Sequence, residues 1–234
     1  VTEAWRVVEN QYENSTRKLV DSDEEQALLE QLIDQKAKPP RPAGPEFKRL
    51  SYLLYTPFRH PPLRRGTRFG RRDERSLFYG AREIHTALAE VAYYRLLFLE
   101  GTRADLSTTI VRLSAFTAKI DAAKAMDFTV PPFDAHRAAI SSKTSYSVSQ
   151  ELGRAMREAA IDACSFFSAR DLNEGVNYAL FTPCFASKTH GAIRGWSCVF
   201  NRKLVEMKKT HGTERYSFPR SQFEVMGALP NPGV

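Results

Sequence analysis

The densest concentration of chemically capable side chains lies at Arg64, Arg65, Arg68, Arg71, Arg72 and Arg75, with Asp73 and Glu74 the acids among them. Arginine presents a planar fork of donors that suits phosphate or carboxylate. Gly66 and Gly70 let the backbone turn tightly inside the cluster. The segment therefore reads as a phosphate-facing loop, although the same composition fits a solvated basic loop. Glu90 is the next candidate. On a helix predicted over about Arg82–Leu99, at ~100° per residue, it sits about 200° from Ala92 and off the apolar stripe of Leu88, Ala92, Leu96 and Leu99. Such a carboxylate is either catalytic or an ordinary solvated glutamate. Ser147 is equally open, because a helix-start capping box with Gln150 explains its type. Arg6, beside Trp5 in a predicted strand, is explained as well by pairing with a surface acid. Taken singly, none of these positions assigns a reaction.

Other chemistries are set aside by spacing. The histidines stand at 60, 85, 136, 190 and 211, with no pair at the i, i+4 separation of a helical metal site. Cys164, Cys184 and Cys198 are too far apart for a zinc ribbon or finger. No metal is expected. There is no Walker-type loop and no Gly-x-Gly-x-x-Gly after a strand. His60 has the unperturbed pKa of ~6.5 that suits a base, but its flanking prolines fit a rigid structural role.

The totals agree with a folded enzyme-sized chain. Of 234 residues, 42% are hydrophobic and 26% charged, which argues against disorder. The length allows a single core without staples. Three cysteines do not make a secreted disulfide framework, so reduced thiols and a cytoplasmic location are expected. No apolar run reaches the ~18 residues of a membrane span. The N-terminus has no signal-peptide pattern, and the missing initiator Met implies that residues precede Val1. The net charge of +7 raises a nucleic-acid alternative.

The elements that must position these residues are mostly short. Trp5–Val8 reads as a strand. A helix is expected over Asp23–Lys36, with Ser22 and Glu25 as its capping box and Leu28, Leu29, Leu32 and Ile33 on one face. A proline-rich connector at 38–45 ends it. A second proline-rich stretch covers Thr56–Pro62. Leu77–Tyr79 is a predicted strand that halts at Gly80. Thr109–Thr117 turns Val111, Leu113, Ala115 and Thr117 inward. Pro131-Pro132 marks a loop, and a helix is expected from Ser147 to about Ala160. Ser165–Phe167, Tyr178–Phe181, Trp196–Phe200 and Lys203–Met207 are further strands. Short strands with three helices and no βαβ alternation predict an α+β fold in one domain, residues 1–234.

Taken in order, these segments resemble the RES domain, named for an arginine, a glutamate and a serine. The matching pieces are Trp5-Arg6-Val7-Val8; Arg65-Gly66-Thr67-Arg68-Phe69-Gly70 with Leu77-Phe78-Tyr79-Gly80-Ala81; Thr86-Ala87-Leu88-Ala89-Glu90-Val91; Tyr146-Ser147-Val148-Ser149-Gln150; Ser168-Ala169-Arg170; and Gly175–Phe181. The resemblance runs from about Trp5 to Phe181. It departs from many RES domains at Gly70-Arg71, where an Asn-Pro step is usual. The insertion containing Pro57–Pro62 is similar to that of a larger-bodied subgroup.

The resemblance implies a fold similar to ADP-ribosyltransferase toxins and a bacterial toxin that consumes NAD+ as substrate. Its partner would be an Xre-like antitoxin protein, and a homodimer within the toxin–antitoxin complex is a further expectation. The family triad falls on Arg6, Glu90 and Ser147, the second site arginine on Arg68 and the site tyrosine on Tyr79. Glu90 would stabilise the ribosyl cation formed when nicotinamide leaves. Arg6 and Arg68 would hold the pyrophosphate, Tyr79 would offer a stacking face, and Ser147 would orient the ribose or the amide. Ser168, Arg170 and Asn177 are expected either to touch the cofactor or to serve the turn around Gly175. The larger basic body favours ADP-ribose transfer to a protein acceptor. Phosphorolysis or hydrolysis of NAD+ is the alternative, and a non-catalytic nucleic-acid binder or a docking partner the outside reading.

Overall fold

A computed structural model describes residues 1–10, 22, 24–25, 28, 42–60, 64–104 and 106–232. The helix expected over Asp23–Lys36 and the first half of the proline-rich connector fall almost wholly outside those residues. What is described there agrees with the expected helix start, because the Glu25 amide donates to Ser22 Oγ at 3.1 Å.

The described residues form one mixed sheet with flanking helices, an α+β fold. Its strands are β1 (Thr2–Glu9), β2 (Phe78–Ala81), β3 (Thr109–Ile120), β4 (Ala125–Asp127), β5 (Ala163–Phe167), β6 (Val176–Leu180), β7 (Arg194–Phe200), β8 (Leu204–Lys209) and β9 (Arg215–Pro219). The spatial order is β4-β5-β6-β2-β1-β3-β7-β8-β9. Only the β4–β5 pair is parallel. The helices are α1 (Tyr52–Arg59), α2 (Ile84–Gly101), α3 (Arg137–Ile140) and α4 (Ser147–Glu158).

One junction of the sheet matters most. β1 is zipped to β3 from Thr2↔Ile120 to Glu9↔Leu113, but its register with β2 is the single pair Trp5↔Ala81. Beyond Trp5 the two strands no longer share a ladder, so the sheet parts between β1 and β2. A parted ladder leaves backbone groups that need other partners. Arg6, the residue just after the last pair, supplies one of them: its guanidinium donates to the Tyr79 carbonyl across the junction at 2.5 Å.

Three apolar clusters hold the halves in place. The stripe Leu88, Ala89, Ala92, Tyr93, Leu96 and Leu99 of α2 packs on Trp196, Cys198, Phe200, Val205, Met207 and Phe218 of β7–β9. That is the helical period meeting the strand period on one sheet face. On the other side, Phe47, Leu50, Leu54 and Phe58 cover Ala4, Phe78, Phe116, Ala118 and Leu180. The third cluster joins Phe69 and Leu77 to Met156 of α4 and to Cys164, Phe166 and Ala179. β3 thereby contributes to both faces. Leu113 and Ala115 are buried as the alternation predicts, but Ser114, Phe116 and Ala118 are buried too, because α1 and its approach cover the opposite side.

Several expected boundaries shift. α1 runs through Pro57, where proline-rich sequence predicts irregular chain. The helix has only two residues left beyond Pro57, so little of its ladder is lost. β2 does not stop at Gly80 but continues to Ala81, and a Cβ at Gly80 would stand 3.0 Å from Ala4 Cβ. The capping box at Ser147 is not formed. Tyr146 occupies the N-cap without a side-chain cap bond, and Ser147 bonds instead to Ser145. Gln150 is occupied elsewhere: its amide donates to the carbonyls of Arg65 at 3.2 Å and Thr67 at 3.0 Å. The bulk of the arginine loop leaves those carbonyls facing α4, and satisfying them outweighs a cap at an exposed helix start.

Candidate active site

A cleft of about 310 Å³ opens where the sheet parts. Its walls come from every neighbouring element: Trp5, Arg6 and Val7 of β1, Tyr79–Ala81 of β2, Thr67 and Arg68 of the arginine loop, and Tyr146 before α4. Its floor is α2, which presents Ala87, Glu90, Val91 and Tyr94, with Phe166 and Asn177 behind. These four α2 positions follow the i, i+3, i+4, i+7 spacing of one helix face. α2 therefore carries two stripes, an apolar one against β7–β9 and a second one facing the cleft with a single carboxylate in it.

Glu90 is half-buried and held by two donors. Ser168 Oγ donates to Glu90 Oε1 at 2.7 Å and Asn177 Nδ2 donates to the same oxygen at 2.6 Å. Among the described residues no donor meets Oε2. Asn177 reaches Glu90 from the start of β6, and Ser168 from the turn that follows β5, so the carboxylate is gripped by the β2-side half of the sheet.

Two guanidiniums line the same cleft. Arg6 lies 4.8 Å over the Phe78 ring, and its Nε is buried without a hydrogen-bond partner. Burial pulls its pKa down to about 10, because desolvation penalises the charged form. Arg6 as a whole is half-buried, whereas Arg68 is buried and donates to the carbonyls of Ile140 and Ser142, each at 3.0 Å. Its guanidinium lies 5.0 Å over the Tyr146 ring. Among the described residues no carboxylate is ion-paired with either arginine. Buried cations are ordinarily paired, so the cleft carries an uncompensated positive charge beside one carboxylate.

Tyr79 holds the arginine loop from the opposite side to Gln150. Its hydroxyl shares a hydrogen bond of 2.9 Å with Thr67 Oγ1 and accepts one of 3.0 Å from the Phe69 amide. Burial pushes its phenol well above the ordinary tyrosine range, against the opposing effect of those two bonds. Phe69 anchors the loop apolarly, stacked against Phe128 and edge-on to Phe166 at 4.9 Å.

The other residues singled out from sequence lie elsewhere. Ser147 is exposed in the first turn of α4, its hydroxyl 3.0 Å from that of Ser145, and does not line the cleft, whereas its neighbour Tyr146 does. Arg170 is buried behind the cleft, with its guanidinium 3.6 Å over the Tyr93 ring and one nitrogen donating to the Lys143 carbonyl. His60 is exposed and outside the cleft, with its pKa lowered by partial burial and by Arg59. The arginine cluster is not one surface. Arg71 pairs with Glu151 and Arg75 lies over Phe47 at 5.5 Å, while Arg64, Arg65 and Arg72 are exposed. Trp5, Tyr94 and Tyr146 are lining residues that sequence reasoning missed. For Tyr94 the signal was present in its spacing from Ala87, Glu90 and Val91. For Tyr146 no periodic signal existed, because it precedes the helix.

Among the described residues no group of three or more His, Cys, Asp or Glu side chains is placed to hold a metal ion. No helix among them is long and apolar enough to cross a membrane.

With this geometry established, the comparison with protein families is specific. The model of the RES domain matches residues 40–201, and the chain belongs to that family. RES domains are the toxin parts of RES–Xre toxin–antitoxin systems and are associated with NAD. Comparison with curated proteins gives no match. The matched segment differs in extent from the resemblance read in the sequence. It begins after β1 and continues past Phe181 through β7. Arg6 therefore enters the cleft from a strand outside the matched segment, brought in by the ladder between β1 and β3.

Proposed function

We propose that this protein is the toxin of a toxin–antitoxin pair, that it cleaves NAD+ at the nicotinamide–ribose bond, and that it transfers ADP-ribose to a target protein. The observation that carries the reading is the meeting, in one cleft, of a single anchored carboxylate with two arginines, Arg68 buried and Arg6 half-buried, that have no acidic partner among the described residues. NAD+ has the complementary charges: a dianionic pyrophosphate, and a ribose that becomes cationic as the bond to nicotinamide breaks.

In this reading Arg6 and Arg68 bind the pyrophosphate through charge-assisted forks, and the burial of Arg68 strengthens the interaction by keeping water out. The C1′–N bond breaks heterolytically. Nicotinamide leaves as a neutral molecule with the bonding electron pair, and the positive charge moves to the ribose. Glu90, through Oε2, accepts a hydrogen bond from a ribose hydroxyl and stabilises that charge where it develops. An acceptor nucleophile then bonds to C1′ and releases its proton. No covalent enzyme intermediate is needed, so positioning and electrostatics supply the rate. Tyr79 lines the wall while its hydroxyl fastens the loop that carries Arg68. Ser147 is left outside this assignment, because its hydroxyl bonds to Ser145 and does not line the cleft. Membership in a family of toxin parts supports an Xre-like antitoxin as partner.

The test follows free nicotinamide when the purified protein meets NAD+ alone, with phosphate, and with a bacterial lysate. Release that Glu90→Ala lowers at least ~100-fold, in the range seen when an electrostatic stabiliser is removed, supports the reading. Labelled ADP-ribose on a lysate protein selects transfer, whereas ADP-ribose phosphate or free ADP-ribose selects phosphorolysis or hydrolysis. Absence of nicotinamide release in all three arms overturns it. Salt-sensitive nucleic-acid binding would then become the leading use of Arg64, Arg65 and Arg72.

A further inference from the structure

Ser168 and Asn177 stand out because sequence alone left them between two uses, contact with the cofactor and turn chemistry. Their hydrogen bonds point to a third. A serine hydroxyl has one proton to give and two lone pairs to receive. At Ser168 both lone pairs are taken, by the backbone amides of Arg170 at 3.0 Å and Asp171 at 3.2 Å. The remaining proton goes to Glu90 Oε1 at 2.7 Å. Ser168 is 4% exposed, so water does not compete for that proton. Its backbone is fixed too, the amide donating to the Gly175 carbonyl at 2.7 Å.

Asn177 approaches the same oxygen from β6. It is buried, and its register is set by pairing with Ala81 on one side and Phe166 on the other. An Asn facing a carboxylate must turn its NH₂ group toward it, and the Nδ2–Oε1 distance is 2.6 Å. Oε1 thus receives two charge-assisted bonds from obligate donors on rigid backbone, while Oε2 has no donor among the described residues.

We infer that Ser168 and Asn177 are positioning residues that clamp Glu90 by one oxygen and so dedicate the other to the substrate. This rests on the functional reading given above, in which Glu90 acts on the ribose. The clamp removes the rotational freedom of a three-torsion side chain in advance of binding. A carboxylate fixed before the transition state spends no energy on reorganisation during it. The clamp also explains a division of labour in the fold. α2 supplies the carboxylate, and the half-sheet across the cleft decides where it points. Were Ser168 and Asn177 ligands of the substrate instead, their donors would have to leave Glu90 first.

Two classes of contact predict different kinetics. Removing a group that acts through Glu90 lowers kcat and leaves ground-state binding intact, whereas removing a substrate ligand weakens binding. The experiment measures nicotinamide release for the wild type, Ser168→Ala, Ser168→Thr, Asn177→Ala and the Ser168→Ala/Asn177→Ala double variant. Alongside it, calorimetry measures affinity for carba-NAD+, a non-cleavable analogue with carbon in place of the ribose ring oxygen. Each alanine variant is expected to lose about 10-fold to 100-fold in kcat, with carba-NAD+ affinity within about twofold of wild type. Ser168→Thr, which keeps the hydroxyl, is expected to recover most of the rate. The double variant is expected to lose less than the product of the single losses, because both bonds serve one oxygen.

Ser168 also ties its own turn, so Ser168→Ala can fail to fold. Asn177→Ala leaves that turn untouched and carries the test by itself. An active wild type whose alanine variants lose carba-NAD+ affinity while keeping kcat overturns the clamp and makes the two residues substrate ligands. Unchanged kcat and affinity in Asn177→Ala overturns it as well. A wild type that releases no nicotinamide overturns the functional reading, a different result from either of these, and removes the catalytic role of the clamp with it.

Discussion

Replacing Tyr79 by Phe separates two roles that its type alone leaves merged. The ring lines the cleft wall, and the hydroxyl pins the arginine loop through Thr67 Oγ1 and the Phe69 amide. Tyr79→Phe keeps the first and deletes the second. The Phe69 amide lies beside a fully buried side chain and would be left without its acceptor. An unsatisfied buried donor costs about 1–3 kcal/mol. Thr67 can rotate its hydroxyl toward the cleft, so its loss adds little. A total near 2 kcal/mol is expected. For a chain of this size that is about 4–8 °C in melting temperature, at roughly 2–4 °C per kcal/mol. Because the loosened loop carries Arg68, affinity for carba-NAD+ should fall with it. The pH profile supplies a second check. Burial holds the Tyr79 phenol above its unfolded value of ~10, so the hydroxyl's contribution is complete below pH 10 and is lost as pH rises toward the folded value. The wild type should therefore lose stability above pH 10 more steeply than Tyr79→Phe. Thermal unfolding by circular dichroism at pH 7 and pH 10.5 measures both. A Tyr79→Phe protein that melts within 1 °C of wild type and binds the analogue equally well would refute the loop-pin reasoning.

Two further substitutions probe the site from other directions. Arg6→Met should remove carba-NAD+ binding while changing the melting temperature at pH 7 little, because a desolvated, carboxylate-free guanidinium is a cost to the fold that offsets the loss of its bond to the Tyr79 carbonyl. That cost is present in full below pH 10 and is relieved as pH rises from about 10 toward the unfolded value of 12.5, so any advantage of Arg6→Met should shrink above pH 10; a marked fall in melting temperature at pH 7 would count against it. Gly153→Ala should lower stability by about 1–3 kcal/mol, since the new Cβ would meet the Phe69 backbone, 2.7 Å from its carbonyl carbon, where nothing flexible can yield. The same change pushes the arginine loop off α4 and should weaken analogue binding; a wild-type melting curve would show that the helix and loop separate freely.

How much of this was readable from the chain depends on the range of the interaction involved. The long helix carrying Glu90 was legible because Leu88, Ala92, Leu96 and Leu99 repeat at its period, and local periodicity needs no partner to be seen. Glu90's place off that stripe was legible for the same reason. The strands around Thr109–Thr117 and Trp196–Phe200 announced themselves by composition and alternation. By contrast, the capping box assigned to Ser147 and Gln150 matched a local rule that a distant demand overrode. Gln150 is drawn to carbonyls more than 80 positions earlier in the chain, in a loop that Phe69 anchors against Phe128 and Phe166.

The sequence by itself determined the inventory: an arginine loop able to turn at its glycines, one carboxylate on a second helical stripe, a strand bearing Arg6, and the ordered short segments that resemble a RES domain. These are properties of near neighbours, set by torsional preference and period. Only the tertiary structure decided which members of the inventory meet. It parts β1 from β2 after one register pair, sends Arg6 across the gap, buries Arg68 on two carbonyls, leaves Ser147 at the surface and puts Ser168 and Asn177 on a single oxygen of Glu90. Those meetings are fixed by ladder register and by the satisfaction of buried polar groups, and both are sums over residues far apart in the chain.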